Sequence, residues 1–419
     1  MSENLKKVLV IGFVWPEPSS SAAGKRMMQL ISFFIDQNCE ITFASTAKRS
    51  EFTSNLESLG IKSKSIKVND AGFDDFLMEM DPDLVLFDRF MTEEQFGWRV
   101  HKHCPNALRV LDTEDLHLLR HARENAFING DVRVQAYLVS DFAKREIASI
   151  YRSDLSLIIS ESEMTLLMDF FKVPAEILHY VPYMIDPDAE NTDGEWPEFS
   201  HRQGFMTIGN FRHKPNFDGV AYLRTDIWPL IREILPDAVM NVYGAYPHEK
   251  VNQWHQPSNG FLIHGRAADA NDVMKLSRVC LAPLRFGAGL KGKLVEAMNN
   301  GTPSITTSIG AEGINGRLDW PGEIADDPAD FARAAADYYT DKAKWKEAQI
   351  MGLEVIKQRF SKRDHSRQLK NRLGTVAKEL EKHRINNFTG AMLMHHTMAS
   401  TKYMSRWIEE KNKGSEISG

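Results

Sequence analysis

The sequence has few cysteines and lacks a long apolar run, and each absence excludes a class of protein. Its 419 residues include only Cys39, Cys104 and Cys280, which are too sparse for a disulfide framework and too widely spaced for a CxxC metal site. No segment approaches the roughly 18–20 consecutive apolar residues that a membrane-spanning helix needs. We therefore expect a protein of the reducing cytoplasm without a disulfide or a bound metal.

A surplus of basic residues is also absent. The net charge is -6, whereas a dedicated nucleic-acid binder usually carries a basic surplus, so we expect no nucleic-acid partner. A local basic patch is still compatible with a phosphate ligand or an anionic membrane surface. The N-terminal MSENLKKVLVIGF has an apolar stretch of only about five residues and no cleavage site, which predicts a first β-strand rather than a signal peptide.

Two series of short aliphatic runs alternate with amphipathic segments along the chain. This alternation is typical of parallel sheets that are covered by helices on both faces. In the first half the predicted strands are Val8–Ile11, Ile41–Ala44, Leu84–Phe87, Leu108–Leu111 and Leu155–Ile159, with helices over Gly24–Asp36, Glu93–His103 and Val134–Tyr151. In the second half the predicted strands are Phe205–Ile208, Val239–Tyr243, Phe261–His264, Val279–Ala282 and Ser304–Thr307, with helices over Phe217–Ile234 and Leu290–Asn299.

A polar, proline-rich stretch separates the two series. The sequence therefore predicts an α/β protein of two doubly wound, Rossmann-like domains over residues 1–187 and 204–363, joined by a linker over 188–203. Residues 364–419 show no strand pattern and predict a helical tail. The last part of this tail carries methionine and aromatic residues at spacings of three and four. That pattern indicates a helix docked on the core, or alternatively a surface for a membrane or a partner.

Most of the chemical information lies in PLRFGAGLKGKLVEAM, residues 283–298. The segment follows a predicted strand and opens a helix, whose free N–H groups favour an anion. Its three glycines allow a ligand to approach the backbone closely, and Lys291 and Lys293 add positive charge. Glu296 lies three residues beyond Lys293 on the same helix face, and its carboxylate suits the hydroxyls of a ribose.

The spacing of these glycines leaves several ligands open. Gly287-x-Gly289-x-x-Gly292 formally matches a dinucleotide-binding fingerprint, but it does not follow the first strand of its domain. Gly287-x4-Gly292-Lys293 nearly matches a P-loop, but Leu294 replaces the Ser or Thr that would hold Mg²⁺. A sugar-nucleotide site and a glycine-rich turn without any ligand are the remaining interpretations.

The same segment resembles a known family. The run from Gly287 to Gly301, with Pro303 and TSIGAEG at 307–313, is similar to the donor-binding signature of retaining group 1 glycosyltransferases, the glycosyltransferase 4 family. FMTIGNFRHKPNFD at 205–218 resembles the strand and loop that open the donor domain, so the similarity runs in register over residues 205–315. In the N-terminal half it is weaker, at Gly12, PSSSAAG (18–24) and DTEDLH (112–117).

This resemblance implies a GT-B fold, in which the two domains face each other across a cleft. It implies a retaining transfer of a sugar from a nucleotide-diphosphate donor to an acceptor that the sequence does not identify, whether lipid-linked glycan, glycan or protein. The pathway would be the synthesis of a surface polysaccharide or glycoconjugate. No metal or cofactor is implied, because lysines supply the positive charge. The location implied is the cytoplasm, with peripheral contact at the inner face of the membrane as an option.

The resemblance also assigns roles on the donor side. Lys291 and Lys293, with backbone amides near Gly289 and Leu290, would hold the diphosphate and stabilise the departing phosphate during catalysis. Glu296 would bind the ribose. The other donor-binding residues implied are Gly24, Arg212, Lys214, Gly265 and Arg266.

On the acceptor side, Glu114-Asp115 replaces a His-Asp pair that is common in the family, and His117 follows two positions on. These three residues are candidate catalytic residues in contact with the reacting hydroxyl. The alternative is that they cap helices and line the rim of the cleft.

The chain departs from the family pattern at three places. Ala288 stands where the first glutamate of the family's E-x7-E element would be, and Asn210 and Asn216 stand where many relatives have an arginine and a lysine. Arg212 and Lys214 are close enough in sequence to substitute. Two further hypotheses therefore stay open, a sugar-nucleotide-binding protein with little transferase activity and another nucleotide-dependent enzyme.

Overall fold

The structure is a computed structural model that describes residues 5–186 and 196–416. The first half of the predicted linker, residues 188–195, lies outside the described residues, as does residue 187 before it. Its last part, from residue 196, leads through a short turn at Phe199–His201 into the second half of the chain.

The first half of the chain forms a sheet of seven parallel strands. They are β1 (Lys7–Gly12), β2 (Glu40–Ser45), β3 (Lys62–Ser65), β4 (Leu84–Asp88), β5 (Leu108–Asp112), β6 (Leu155–Ile158) and β7 (Leu178–Tyr180). The spatial order is β3-β2-β1-β4-β5-β6-β7. Because β1 pairs with both β2 and β4, the winding reverses there and leaves a crevice beyond the carboxyl ends of the strands.

The second half forms a sheet of six parallel strands. They are β8 (Phe205–Ile208), β9 (Met240–Tyr243), β10 (Phe261–Gly265), β11 (Val279–Ala282), β12 (Ser304–Thr306) and β13 (Gly322–Ile324). Their order is β10-β9-β8-β11-β12-β13, so this sheet reverses between β8 and β11. The predicted doubly wound α/β fold with two Rossmann-like sheets is confirmed.

Helices cover both faces of each sheet. In the first half they are α1 (Ala22–Asp36), α2 (Gly72–Met80), α3 (Phe90–His103), α4 (His117–Ile128), α5 (Gln135–Leu138), α6 (Asp141–Arg152) and α7 (Glu161–Thr165), with a π-turn over Leu166–Phe170. In the second half they are α8 (Lys214–Tyr222), α9 (Trp228–Ile234), α10 (Glu249–Asn252), α11 (Ala270–Leu276), α12 (Gly292–Asn299), α13 (Ser308–Ala311), α14 (Pro328–Thr340) and α15 (Lys342–Arg359). The tail adds α16 (Lys362–Lys378), α17 (Leu380–Asn386) and α18 (Phe388–Glu416).

Two of the predicted helices are interrupted. The helix predicted over Val134–Tyr151 is wrong as a single element, because Ser140 adopts an extended backbone and its side chain accepts the Ala143 N–H as the N-cap of α6. The helix predicted over Phe217–Ile234 contains a π-turn over Leu223–Ile227 between α8 and α9. Pro229, just after that turn, has no N–H to continue the regular hydrogen-bond pattern.

The tail is helical, as predicted, and it packs against the first half of the chain. Leu369 and Leu373 of α16 lie in the same buried cluster as the apolar residues of β1 and α1. On α18, buried Met394 packs against Trp98 of α3. The other side of α18 is solvent-exposed, since Trp407 keeps 60% of its surface accessible. Among the described helices, none combines the length and apolar character needed to cross a membrane.

Candidate functional site

The two domains meet where their sheets reverse. At the bottom of the cleft, Ile159 and Tyr183 of the first half share a buried cluster with Leu290 and Leu294 of the second. The contact is so close at Gly292 that a Cβ there would lie 2.8 Å from the Cβ of Ala22 on α1. The N-terminus of α12 therefore faces the N-terminus of α1 directly.

The loop between β11 and α12 takes a conformation that requires glycine. Gly289 has a φ of +63°, which is the left-handed region, and a Cβ there would come within 2.7 Å of the Asp115 Cβ across the cleft. Leu290 follows with its side chain buried. The sequence attributed these glycines to a ligand, and the structure shows that the opposite domain also occupies the space they leave.

Two lysines of this segment are held without a carboxylate partner. The Lys291 ammonium donates to the Gly289 carbonyl at 2.8 Å, and the Lys293 ammonium donates to Asn216 Oδ1 at 2.9 Å. In the described part of the chain, neither lysine forms an ion pair. Burial lowers the pKa of both side chains to about 8, against nearby carboxylates that act in the opposite direction. Both are thus mainly protonated at neutral pH, and a buried cation of this kind favours an anionic ligand.

Glu296 lies on the next turn of α12. Its carboxylate forms an ion pair across the cleft with the Lys25 ammonium of α1, at 2.8 Å, and both side chains are part-exposed. The carboxylate is therefore accessible to a ligand that enters between α1 and α12. Lys25 was not predicted, although it lies on α1 directly after Gly24, the last residue of the segment that the resemblance singled out.

Glu114 is the most perturbed of the predicted acceptor-side residues. It follows β5 with a φ of +64°, a conformation that is uncommon for a residue other than glycine. Burial raises the pKa of its carboxyl well above the usual range, and neighbouring Asp112 adds to the effect. Arg89, after β4, also has a positive φ, of 70°. Backbone strain of this kind gathers at functional sites, and here it marks the ends of two adjacent strands.

Asp115 and His117 are engaged by their own surroundings. Burial raises the pKa of Asp115, but the guanidinium of Arg120, at 2.7 Å, and nearby His117 outweigh it and lower that pKa to about 2. Burial lowers the pKa of His117 to about 4, despite the neighbouring Asp115 carboxylate. At neutral pH we therefore expect Asp115 to be charged and His117 to be neutral.

A cavity of about 210 Å³ lies between the domains beside these residues. The side chains that matter for its chemistry are Glu17, Asp88, Arg89, Glu114, Arg212 and Tyr246. The Arg212 guanidinium stacks on the Tyr246 ring at 3.6 Å, and the Tyr246 hydroxyl donates to Glu17 at 2.9 Å. Asp88 and Arg89 were missed from the sequence. The available signal was their position at the carboxyl end of a parallel strand, where ligands of doubly wound sheets bind.

Gly24 also lines this cavity. Its N–H donates to the Ser21 side chain at 3.0 Å as part of the N-cap of α1, and a Cβ would lie 2.5 Å from the Glu17 carbonyl. Close packing against that loop therefore already accounts for a glycine at this position.

The remaining predicted residues lie along the rim of the cleft. Lys214 pairs with Glu124 of α4, and the Arg266 guanidinium stacks on the Phe52 ring at 4.9 Å. Gly265 ends β10 with a φ of +72° and has open space beside it. The structure thus places Lys291, Lys293 and Glu296 at the start of α12 and Gly289 and Leu290 in the loop before it. Gly24, Glu114 and Arg212 line the cavity, and Asp115 and His117 lie directly after Glu114. Lys214, Gly265 and Arg266 lie at the rim. Within the described residues, no group of three or more His, Cys, Asp or Glu side chains is arranged to hold a metal ion.

Comparison with known proteins finds a family domain and similar folds. Residues 202–341 match the family described as Glycosyl transferases group 1. Sucrose-phosphate synthase from Thermosynechococcus elongatus superposes with a TM-score of 0.63 at 13% identity, over 90% of this chain and 99% of that one. A glycosyltransferase from Rickettsia africae gives 0.63 at 11% identity over the same shares, 90% and 99%.

Anabaena HepE, in complex with UDP-glucose, superposes with a TM-score of 0.63 at 14% identity, over 88% of this chain and 99% of that one. No curated protein sequence matches the chain. The protein therefore has the GT-B fold, and its second half contains a Glycosyl transferases group 1 domain.

Proposed function

We propose that the protein is a retaining glycosyltransferase of the glycosyltransferase 4 family. It moves a sugar from a nucleoside-diphosphate donor to a glycan acceptor. The observation that carries the proposal is the pair of ammonium groups at the N-terminus of α12, from buried Lys291 and part-buried Lys293. Neither has an ion-pair partner among the described residues, and the two lysines flank Gly292, which packs against α1 of the opposite domain. A diphosphate supplies the negative charge that such a site lacks.

The chemistry follows from where these charges lie. The bond between the sugar and the diphosphate breaks, and the acceptor oxygen bonds to the same sugar carbon while the hydroxyl proton passes to an oxygen of the departing diphosphate. Negative charge grows on the departing phosphate, so the two ammonium groups stabilise the transition state more than the bound donor. Glu296 would bind the ribose, and its ion pair with Lys25 would either break or persist when the donor binds. No metal is required in this scheme.

The cavity is the proposed place for the transferred sugar and the acceptor hydroxyl. It lies beside Glu114 and Arg212, and its lining comes mainly from the first half of the chain. HepE carries UDP-glucose in the same fold, which supports a UDP-sugar as the first donor to test. We also propose that the transfer belongs to the synthesis of a surface polysaccharide or glycoconjugate at the inner face of a membrane.

A thermal-shift series with UDP, GDP, ADP, NAD and ATP tests the donor class. We expect a nucleoside diphosphate to stabilise the protein, with UDP tested first, and Lys293→Ala to remove the shift. Stabilisation by NAD and by no nucleoside diphosphate would contradict the proposal.

A second candidate is a sugar-nucleotide-binding protein with little transferase activity. Ala288 favours it, because this side chain cannot supply the carboxylate that the resemblance places against the sugar. Turnover of a bound nucleotide sugar separates the two candidates, since binding without any release of nucleoside diphosphate would select the second.

A further inference from the structure

The loop that precedes Lys291 has almost no side chains with which to fix itself. Gly287, Ala288 and Gly289 have no side chain that can form a hydrogen bond, although the Ala288 methyl packs against the core of the first half, and glycine loses more conformational freedom on ordering than any other residue. The shape of this loop decides where the Gly289 and Leu290 amides point. Groups outside the loop must therefore hold it.

Two side chains of the opposite domain contact the backbone of this loop. Glu163 Oε1, from α7, accepts the Gly289 N–H at 2.8 Å. The Arg123 guanidinium, from α4, donates to the Gly287 carbonyl at 2.8 Å. The same guanidinium forms two hydrogen bonds of 2.7 Å with Glu312, in the turn after β12. Arg123 and Glu163 are called the loop clamp below.

The loop clamp also reaches the acceptor side of the cleft. The same Glu163 oxygen accepts the Leu116 N–H at 3.0 Å, and Leu116 is two residues after Glu114. Glu163 is fully buried, and Arg123 keeps only 14% of its side chain exposed. One carboxylate thus joins the acceptor loop after β5 to the donor loop after β11.

We propose that Arg123 and Glu163 are positioning residues, which shape the donor loop from the opposite domain so that closure of the cleft and assembly of the donor site are one event. The effect on catalysis rests on the proposed function. The claim that these two residues order the loop does not. In an open cleft the loop would lose both contacts. The Gly289 N–H would then lose its acceptor, and only the contact of the Lys291 ammonium with the Gly289 carbonyl would hold the loop that orients the Leu290 amide.

The structural half is tested by hydrogen exchange of the loop in the protein without ligand. In Glu163→Ala and in Arg123→Ala we expect the amides of residues 287–291 to exchange about tenfold faster, the effect of losing one hydrogen bond to a charged group. Glu161→Ala is the matched control. Glu161 lies on the same helix and forms a cross-domain pair with Arg359, but it does not contact the loop. Unchanged exchange in both clamp variants would overturn the inference.

The catalytic half is tested with UDP binding and with turnover of UDP-glucose. We expect each clamp variant to lose at least about tenfold in kcat with a smaller change in the Kd for UDP, and Glu163→Gln, which keeps an acceptor oxygen, to recover most of the loss. The double variant should lose less than the sum of the two single losses, because both residues hold the same loop.

Tighter UDP binding by Glu163→Ala would show instead that the carboxylate competes with phosphate for the Gly289 amide, and would overturn the positioning role. If Glu163→Ala does not fold, Arg123→Ala alone decides the matter, since it removes the other half of the clamp. A wild-type protein that turns over no nucleotide sugar would contradict the proposed function, while the exchange experiment would still judge the clamp.

Discussion

Lys293 and Glu296 lie about one turn apart on α12 but would meet different parts of the donor. Lys293→Ala removes a charge from the departing phosphate, so we expect a loss of about 1.5–3 kcal/mol in binding and roughly 10²–10³-fold in rate. Glu296→Ala should weaken donor binding with a smaller effect on kcat, because a ribose contact changes little as the bond breaks. Steady-state kinetics with a nucleotide sugar check this asymmetry. A folded Lys293→Ala protein with wild-type affinity and turnover would remove the phosphate assignment.

Lys291 should destabilise the folded protein, although it contributes to the proposed donor site. Burial lowers its pKa from 10.5 to about 8, so the folded state disfavours the charged form at neutral pH. Lys291→Met should therefore raise the free energy of unfolding at pH 7 by about 1–3 kcal/mol, since one pKa unit is worth about 1.4 kcal/mol. The gain should shrink as pH rises from 8 towards 10.5, where the wild-type lysine folds neutral. Denaturant unfolding at several pH values measures it, and a destabilised Lys291→Met protein at pH 7 would contradict the argument.

The same two lysines set an alkaline limit to activity. Both have a pKa near 8 in the free protein, so they lose their charge as pH rises through that value. We expect kcat/KM to fall above about pH 8, since this ratio reports the ionisation of the free enzyme. The Glu296→Ala variant should still show this fall in kcat/KM at alkaline pH. A profile that stays flat well above pH 8 would show that neither ammonium group is needed.

At the scale of residues, the sequence was informative where the candidate site residues lie in one short segment. Lys291, Lys293 and Glu296 lie within six residues at the start of the helix that follows β11, and their positions along its first turns follow from that spacing. Asp88, Arg89, Arg123 and Glu163 could not be found in the same way. Each comes from a separate element, and only the packing of the two domains brings them to the cleft.

Among the elements, the central strands of both sheets were predicted to within a residue or so. Buried parallel strands read as continuous aliphatic runs, and β8 and β11 have the predicted bounds. The strands that were missed are β3, β7 and β13, which are short and flank the central strands. The β3 sequence KSKS has no apolar residue, because this edge strand is largely exposed to solvent.

The tail helix α18 is attached to the first domain through a buried arginine. Arg99, 1% exposed, donates to Asp74 at 2.5 Å and to Ser405 at 3.2 Å, and it also pairs with Glu409. Arg99→Ala would leave both carboxylates without this cation, which should cost about 3–5 kcal/mol.

We expect trypsin to cleave the tail of Arg99→Ala well before that of the wild type. The matched control is Arg145→Ala, which breaks a pair with Glu94 that is far more exposed and should cost about 0–1 kcal/mol. Equal protection of the tail in both variants would show that the apolar contacts alone hold it.

For the whole molecule, the structure shows two sheets whose reversal points face each other with the cleft closed. Contacts across the cleft include the Lys25–Glu296 pair, the loop clamp and the apolar cluster at Leu290. The two-domain architecture was predicted from the alternation of strands and helices. The closed arrangement was not, because it depends on contacts between residues that are far apart in the chain.

The most direct test of the central claim is the release of free nucleoside diphosphate from a panel of nucleotide sugars, beginning with UDP-glucose, in the presence of EDTA. We expect release from at least one donor, even as slow hydrolysis without an acceptor. Lys293→Ala should lower that rate roughly 10²–10³-fold, and Glu161→Ala should not change it. No release from any donor, or complete and reversible loss of release on chelation, would contradict a site in which two lysines supply the charge for sugar transfer.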